Sequence, residues 1–199
     1  MRKTPAKDPS LEVHPLTPDR WPDFEALFGP RGACAGCWCM WWRLSRAQFV
    51  AGKGEKNKKA MKAIVKSGEV PGLIAYAEGQ SVGWVALAPR ERYVRLAKAR
   101  TLKPLDDQPV WSVTCFFVAK GFRRRGVTVE LLKAAEVFAA RRGATLLEGY
   151  PSDTRGKALP DPFVYTGLPG AFEKAGFQEA ARPAPTRPVM RKRLRPAGA

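Results

Sequence analysis

The stretch from Val110 to Arg142, VWSVTCFFVAKGFRRRGVTVELLKAAEVFAARR, limits the fold more tightly than any other part of the chain. From Val110 to Ala119 nearly every residue is apolar, β-branched or aromatic. A strand with that pattern is covered on both faces. Val127, Leu131, Ala134, Ala135 and Phe138 then recur at helical spacing, with Glu130, Lys133, Glu136 and Arg141 off the stripe. Gly143 stands where a helix stops. A second strand pattern follows at Ala144–Tyr150. A strand, a helix and a strand joined in this way form a crossover, so the two strands should run parallel. The fold class is therefore α/β with a mixed sheet.

Between strand and helix lies Lys120-Gly-Phe-Arg-Arg-Arg-Gly-Val-Thr128. The first turn of a helix leaves N–H groups without intrahelical partners, and the helix dipole favours negative charge there. Gly126 lets the backbone come close to an anion, and Arg123, Arg124 and Arg125 add full charge. A phosphate or pyrophosphate fits this turn. A plain basic surface turn is the competing reading.

The spacing adds a resemblance. Val118 followed by Arg123-x-x-Gly126-x-Thr128 resembles the acetyl-CoA signature of the GNAT acetyltransferase superfamily, Gln/Arg-x-x-Gly-x-Gly/Ala after an apolar strand. Ala171-Phe-Glu-Lys-Ala-Gly-Phe177 resembles that superfamily's last-helix signature. Thr128 departs from the usual small residue, and its hydroxyl could donate to a phosphate. The resemblance covers roughly Leu11 to Leu194. It implies a three-layer fold with a central, mostly antiparallel sheet and a parallel, splayed strand pair around the cofactor. It implies acetyl transfer from acetyl-CoA to the amine of a small-molecule acceptor, by direct attack in a ternary complex. Many such proteins are homodimers. Main-chain groups of Phe116, Phe117 and Val118 would bind pantetheine and polarise the thioester, as fixed dipoles can. Arg123, Arg124, Arg125, Gly126, Val127 and Thr128 would hold the pyrophosphate. Phe172 stands beside the cofactor, at the position where many members place a tyrosine acid. Tyr165 or Tyr150 would then supply the proton, or the thiolate would leave unassisted. Glu148 is the best base, because an apolar strand desolvates its carboxylate. A solvent-facing Glu148 is the plainer alternative.

The length suits one domain, placed at residues 11–195, with a polar segment at 1–10 and a tail at 196–199 expected to be disordered. There are 35 Lys+Arg against 18 Asp+Glu, a formal charge of +17. Such a surface attracts polyanions and discourages a polycationic acceptor. No apolar segment follows the basic start and no run approaches a membrane span, so a cytoplasmic protein with reduced thiols is expected.

Leu11–Leu16 alternates like a short strand, and it carries His14, the only histidine. Thr17-Pro18 reads as the N-cap and first position of a helix with Trp21, Phe24, Leu27 and Phe28 inward. Cys34, Cys37 and Cys39 then stand among Trp38, Trp41 and Trp42. A structural zinc needs four ligands, and no second paired set is present, so no metal is assigned. The resemblance makes this loop the acceptor pocket, with Trp38, Trp41 and Trp42 as walls and Arg43 as an anion contact. Core packing is the alternative for each tryptophan. Ser45 caps a helix interrupted by Gly52 and Gly54. Gly72–Ala77 and Val82–Ala88 form a hairpin. The long charged connection from Pro89 to Pro109 is placed beside the acceptor pocket. Two other readings remain open: a nucleic-acid-binding protein driven by basic charge, and a metal-binding or thiol-sensing protein built on the three cysteines.

Overall fold

The computed structural model describes residues 10–195; the segments expected to be disordered, 1–10 and 196–199, lie outside that range but for Ser10. Within it seven strands build one sheet: β1 (Leu11–Pro15), β2 (Gly72–Ala77), β3 (Gln80–Pro89), β4 (Trp111–Val118), β5 (Leu146–Gly149), β6 (Gln178–Ala184) and β7 (Arg187–Arg193). Their order across the sheet is β1-β2-β3-β4-β5-β7-β6. Every pairing is antiparallel except that of β4 with β5. Among the described residues six α-helices accompany the strands: α1 (Trp21–Phe28), α2 (Arg46–Ala51), α3 (Glu55–Lys66), α4 (Val94–Lys98), α5 (Val127–Ala140) and α6 (Pro169–Lys174). The mixed sheet with one parallel pair is the fold class expected from the strand–turn–helix unit.

Alternation along the strands divides the core between two faces. Leu73, Ala75 and Ala77 of β2 join Val85 and Leu87 of β3 under α5, against its Val127, Leu131, Leu132, Ala135 and Ala139. Ile74, Trp84 and Ala86 face the other way, onto Trp21, Phe24 and Phe28 of α1 and Met61 and Val65 of α3. Helix α5 comes close because β3 carries Gly83: a Cβ there would stand 2.7 Å from Val127 Cγ1. The crossover through α5 keeps β4 and β5 parallel.

Two local expectations need adjustment. Thr17 does not cap its helix; its hydroxyl accepts from Arg20 Nη1 at 3.0 Å, and a short 3-10 turn at Pro18–Arg20 precedes α1. Ser45 does cap: it accepts from the Gln48 amide at 3.3 Å, while Gln48 Oε1 accepts from the Ser45 amide at 3.1 Å. The segment after it is two helices, broken where Gly54 takes φ +82°.

Candidate functional site

The parallel pairing of β4 and β5 is short. Trp111, Ser112 and Val113 lie beside Leu147, Glu148 and Gly149, and the pairing goes no further. On its other edge β4 is irregular at the same point: Ala86 faces Cys115 while Leu87 faces Val113, so Thr114 is an extra residue. Such a bulge bends a strand and strengthens its twist. Val113 and Phe116 both point into the α5 core, which leaves Thr114 and Cys115 between them. The two parallel strands thus part at the bulge, as the family resemblance implied.

The space beside β4 beyond the fork is taken by the connection between β5 and α6. The Phe116 N–H donates to the Tyr165 carbonyl at 2.6 Å. Ser152 N–H bonds the Gly167 carbonyl at 2.9 Å, and Arg187 Nη1 reaches Ser152 Oγ at 3.0 Å and Thr166 Oγ1 at 3.1 Å. Tyr165 is partly buried, and burial first, then the neighbouring Cys115, pushes its phenol well above the ordinary value of 10.0. It keeps its proton through neutral and mildly alkaline solution.

The basic turn sits at the mouth of the fork. Arg123 Nε donates to the Val118 carbonyl at 2.9 Å, and the same guanidinium pairs with Asp161 of the crossing segment. Arg124 has φ +62° and Gly126 φ +78°. Arg125 lies over the Phe122 ring, 5.5 Å from its centre. Val127 turns into the core and Thr128 is half-buried. Nothing stands within 4 Å of where a Gly126 Cβ would be, so the entrance to α5 is open on that side. A left-handed residue at a helix start, with arginines before it and space beside it, fits a phosphate group.

Glu148 is buried, 1% exposed, and not solvent-facing. Its Oε1 accepts from Arg90 Nη1 at 2.9 Å and from the Tyr150 hydroxyl at 2.6 Å. Its Oε2 accepts from Arg191 Nε at 2.7 Å. Ser112 Oγ completes the group, 2.8 Å from the Tyr150 oxygen. The charge of this carboxylate is held by two guanidiniums, which the pattern of an apolar strand did not foretell.

The other expected site residues divide. Phe172 is wholly buried, edge-on to Phe116 and Phe177 and pressed against Gly149, so its ring packs the core under the fork. Trp38, 4% exposed, stacks on Phe28 at 5.8 Å and Trp21 at 6.4 Å, which places it in the core and not on a pocket wall. Trp41 is half-buried beneath the Arg95 guanidinium, 3.6 Å from its ring centre. Arg43 is buried, gives Nη1 to Glu69 at 2.7 Å and faces the Tyr93 ring at 5.3 Å. Cys39 is buried and its sulfur accepts from Trp84 Nε1 at 3.0 Å, whereas Cys34 is exposed. Among the described residues no group of three or more Cys, His, Asp or Glu is arranged to hold a metal ion, and no helix is long and apolar enough to cross a membrane. Tyr93, Arg95 and Thr114 were not singled out from sequence. The only signal was the length of the Pro89–Pro109 connection, which supplies the first two.

The comparisons agree with this geometry. A family model described as the acetyltransferase (GNAT) family matches residues 38–158, more than half of the chain. No curated protein matches the sequence. The PaiA N-acetyltransferase of Thermoplasma acidophilum, solved in complex with coenzyme A, is 15% identical, with a TM-score of 0.52 over 93% of this chain and 99% of that one. A GNAT-family acetyltransferase of Streptococcus agalactiae is 13% identical, with a TM-score of 0.55 over 93% and 96%. These likenesses show a shared fold. With the forked strands, the open glycine entrance and the matched residues together, the chain belongs to the GNAT family of acetyltransferases.

Proposed function

We propose that the protein transfers an acetyl group from acetyl-CoA to the amine of a small-molecule acceptor, by direct attack while both are bound. The β4–turn–α5 unit carries this reading: Gly126 at φ +78° opens a fourteen-residue helix directly after the fork, with three arginines before it. Acetyl-CoA supplies the activated acetyl group. Arg123, Arg124, Arg125 and the first N–H groups of α5 hold its pyrophosphate. Phe116, Phe117 and Val118 offer main-chain groups to the pantetheine arm. The Phe116 N–H leaves the Tyr165 carbonyl to do so, and the Arg123–Asp161 pair opens with it. That N–H then stabilises the oxyanion that forms as the amine attacks. Tyr165 gives its proton to the leaving thiolate. Glu148 takes the proton of the amine through the Tyr150 hydroxyl, which already donates to it. Trp41 and Arg43 lie on the acceptor side.

The direct test is a melting curve with coenzyme A. At a hundredfold excess over Kd, a ligand bound only by the folded state adds about 2.7 kcal/mol. For a chain of this length that raises Tm by roughly 5–10 °C. No shift at millimolar coenzyme A would remove the reading. Release of free thiol across a panel of amines then separates an active enzyme from a protein that only binds the nucleotide.

A second variant locates the phosphate. Gly126→Val forces a branched residue into the left-handed region, at about 1–2 kcal/mol. No neighbour clashes with it, so the fold should survive. Its side chain enters the space where the backbone meets the anion. Calorimetry should show coenzyme A affinity lowered at least about tenfold, a loss near 1.4 kcal/mol. Unchanged affinity would move the pyrophosphate away from this turn.

A further inference from the structure

Beside the β4 bulge, on the sheet face away from α5, five buried side-chain atoms lack any hydrogen-bond partner: Trp42 Nε1, Arg43 Nη2, Tyr93 Oη, Arg95 Nη1 and Thr114 Oγ1. Only one other side-chain atom among the described residues, Asn57 Oδ1, shares that condition. The five belong together. Arg43 faces the Tyr93 ring. Arg95 lies on Trp41 and its amide donates to the Trp42 carbonyl at 3.1 Å. Trp42 packs in the cluster that contains Tyr93. The Thr114 hydroxyl approaches the Tyr93 phenol, but the two are not aligned as a hydrogen bond and neither has another partner. Arg43, Tyr93 and Thr114 are 8%, 1% and 1% exposed.

Every one of these atoms carries a proton to give. Buried donors without acceptors each cost about 1–3 kcal/mol, more when charged. Glu69 meets Arg43 Nη1 at 2.7 Å inside the cluster and the exposed Arg92 Nε more loosely, at 3.9 Å. Arg95 makes no ion pair with the described residues, so one positive charge is left over. A group that accepts several hydrogen bonds and brings one negative charge satisfies both deficits. A carboxylate does so, with two oxygens and about four acceptor sites. A phosphate dianion would overshoot the charge. The site proposed above for the nucleotide's phosphates, at Gly126, opens the helix on the opposite face.

We propose that this cluster binds the carboxylate of the acceptor, so that the substrate is a small amino acid or amino-acid-like amine. The assignment rests on the acetyltransferase reading for the word acceptor, while the anion site stands on its own geometry. Arg43 and Arg95 fix the carboxylate, Trp42, Tyr93 and Thr114 complete its shell, and the amine is left near the fork beside Cys115 and Tyr165.

Two experiments on the full-length protein test it. Crystals soaked in bromide should show anomalous density within hydrogen-bond reach of Arg43 Nη2 and Arg95 Nη1, and none there in Arg95→Gln. No such density in the unaltered protein overturns the site. Thiol release from acetyl-CoA is then compared for free amino acids and their α-amides. Free acids should be preferred, with Arg95→Gln lowering their kcat/KM by about ten- to a hundredfold, mainly through KM, as loss of a charged hydrogen bond does. The amides should change less than about twofold. Equal use of acids and amides, or acetylation of neither, overturns the acceptor assignment. Failure of coenzyme A to bind would instead remove the acetyltransferase reading and leave the bromide result intact. The coenzyme A melting shift of Arg95→Gln, expected to match that of the unaltered protein, reports that the variant is folded.

Discussion

Glu148→Gln should lower the stability of the fold by about 3–5 kcal/mol, the usual cost of removing one partner from a buried ion pair. For a chain of this length that is a fall in Tm of roughly 6–20 °C. Glu148 is 1% exposed and receives hydrogen bonds from Arg90, Arg191 and Tyr150. A glutamine fills the same volume, yet it brings no charge and turns an amide N–H₂ toward guanidiniums that can only donate. The two arginines do not suffer equally. Arg191 keeps Asp106, at 2.5 Å, near the surface. Arg90 keeps only the Tyr150 hydroxyl and the Leu102 carbonyl, and its charge stays buried. The double variant Glu148→Gln with Arg90→Met should therefore recover a good part of the loss, because the uncompensated charge is gone. Denaturant melts of both variants check this. A single variant that melts within a degree or two of the unaltered protein would show that water reaches the carboxylate and that the network is not buried as described.

The sequence made the strand–turn–helix unit readable because its signals are local. Helical period, the glycine at the entrance and the glycine at the exit all act within a few residues of one another. The capping of α2 by Ser45 was readable for the same reason. The bulge at Thr114 was not. It exists through pairing with Ala86 and Leu87 on another strand, and nothing in VWSVTCFFV says which residue will be extra. Glu148 stood out on its strand, but its guanidinium partners could not be foreseen, since they lie 58 and 43 positions away. Trp38 looked like a pocket wall in a glycine-hinged loop, yet the rings of α1 reach it first. Helix α4, which presents Arg95, has only five residues and little propensity to exploit. Its place is set by Tyr93 and Leu96, both buried against the sheet.

Tyr165→Phe should reduce kcat by about a hundredfold or more, the range general acid catalysis supplies, with little change in Tm. The main-chain bond from Phe116 to the Tyr165 carbonyl does not involve the hydroxyl, so the crossing segment keeps its place. The ring also stays, and only the proton source is lost. The pH dependence separates this from a packing effect. Burial holds the phenol above 10.0, and the protonated form is the active one. The rate should therefore stay level through pH 10 and fall only above it, where an ordinary tyrosine would already have lost its proton. The phenylalanine variant should lack that alkaline fall. Phe172→Tyr makes the complementary case, since it restores a tyrosine where many family members carry one. Phe172 is wholly buried between Phe116, Phe177, Gly149 and Gly167, so the new hydroxyl is shut off from water and has no room in a contact fitted to a bare ring. It should cost about 1–3 kcal/mol of stability and should not rescue Tyr165→Phe. If Tyr165→Phe retains more than half of kcat, the thiolate leaves without this proton. If the second tyrosine restores the rate, the acid belongs on α6 and the ring at 172 turns toward the fork during turnover.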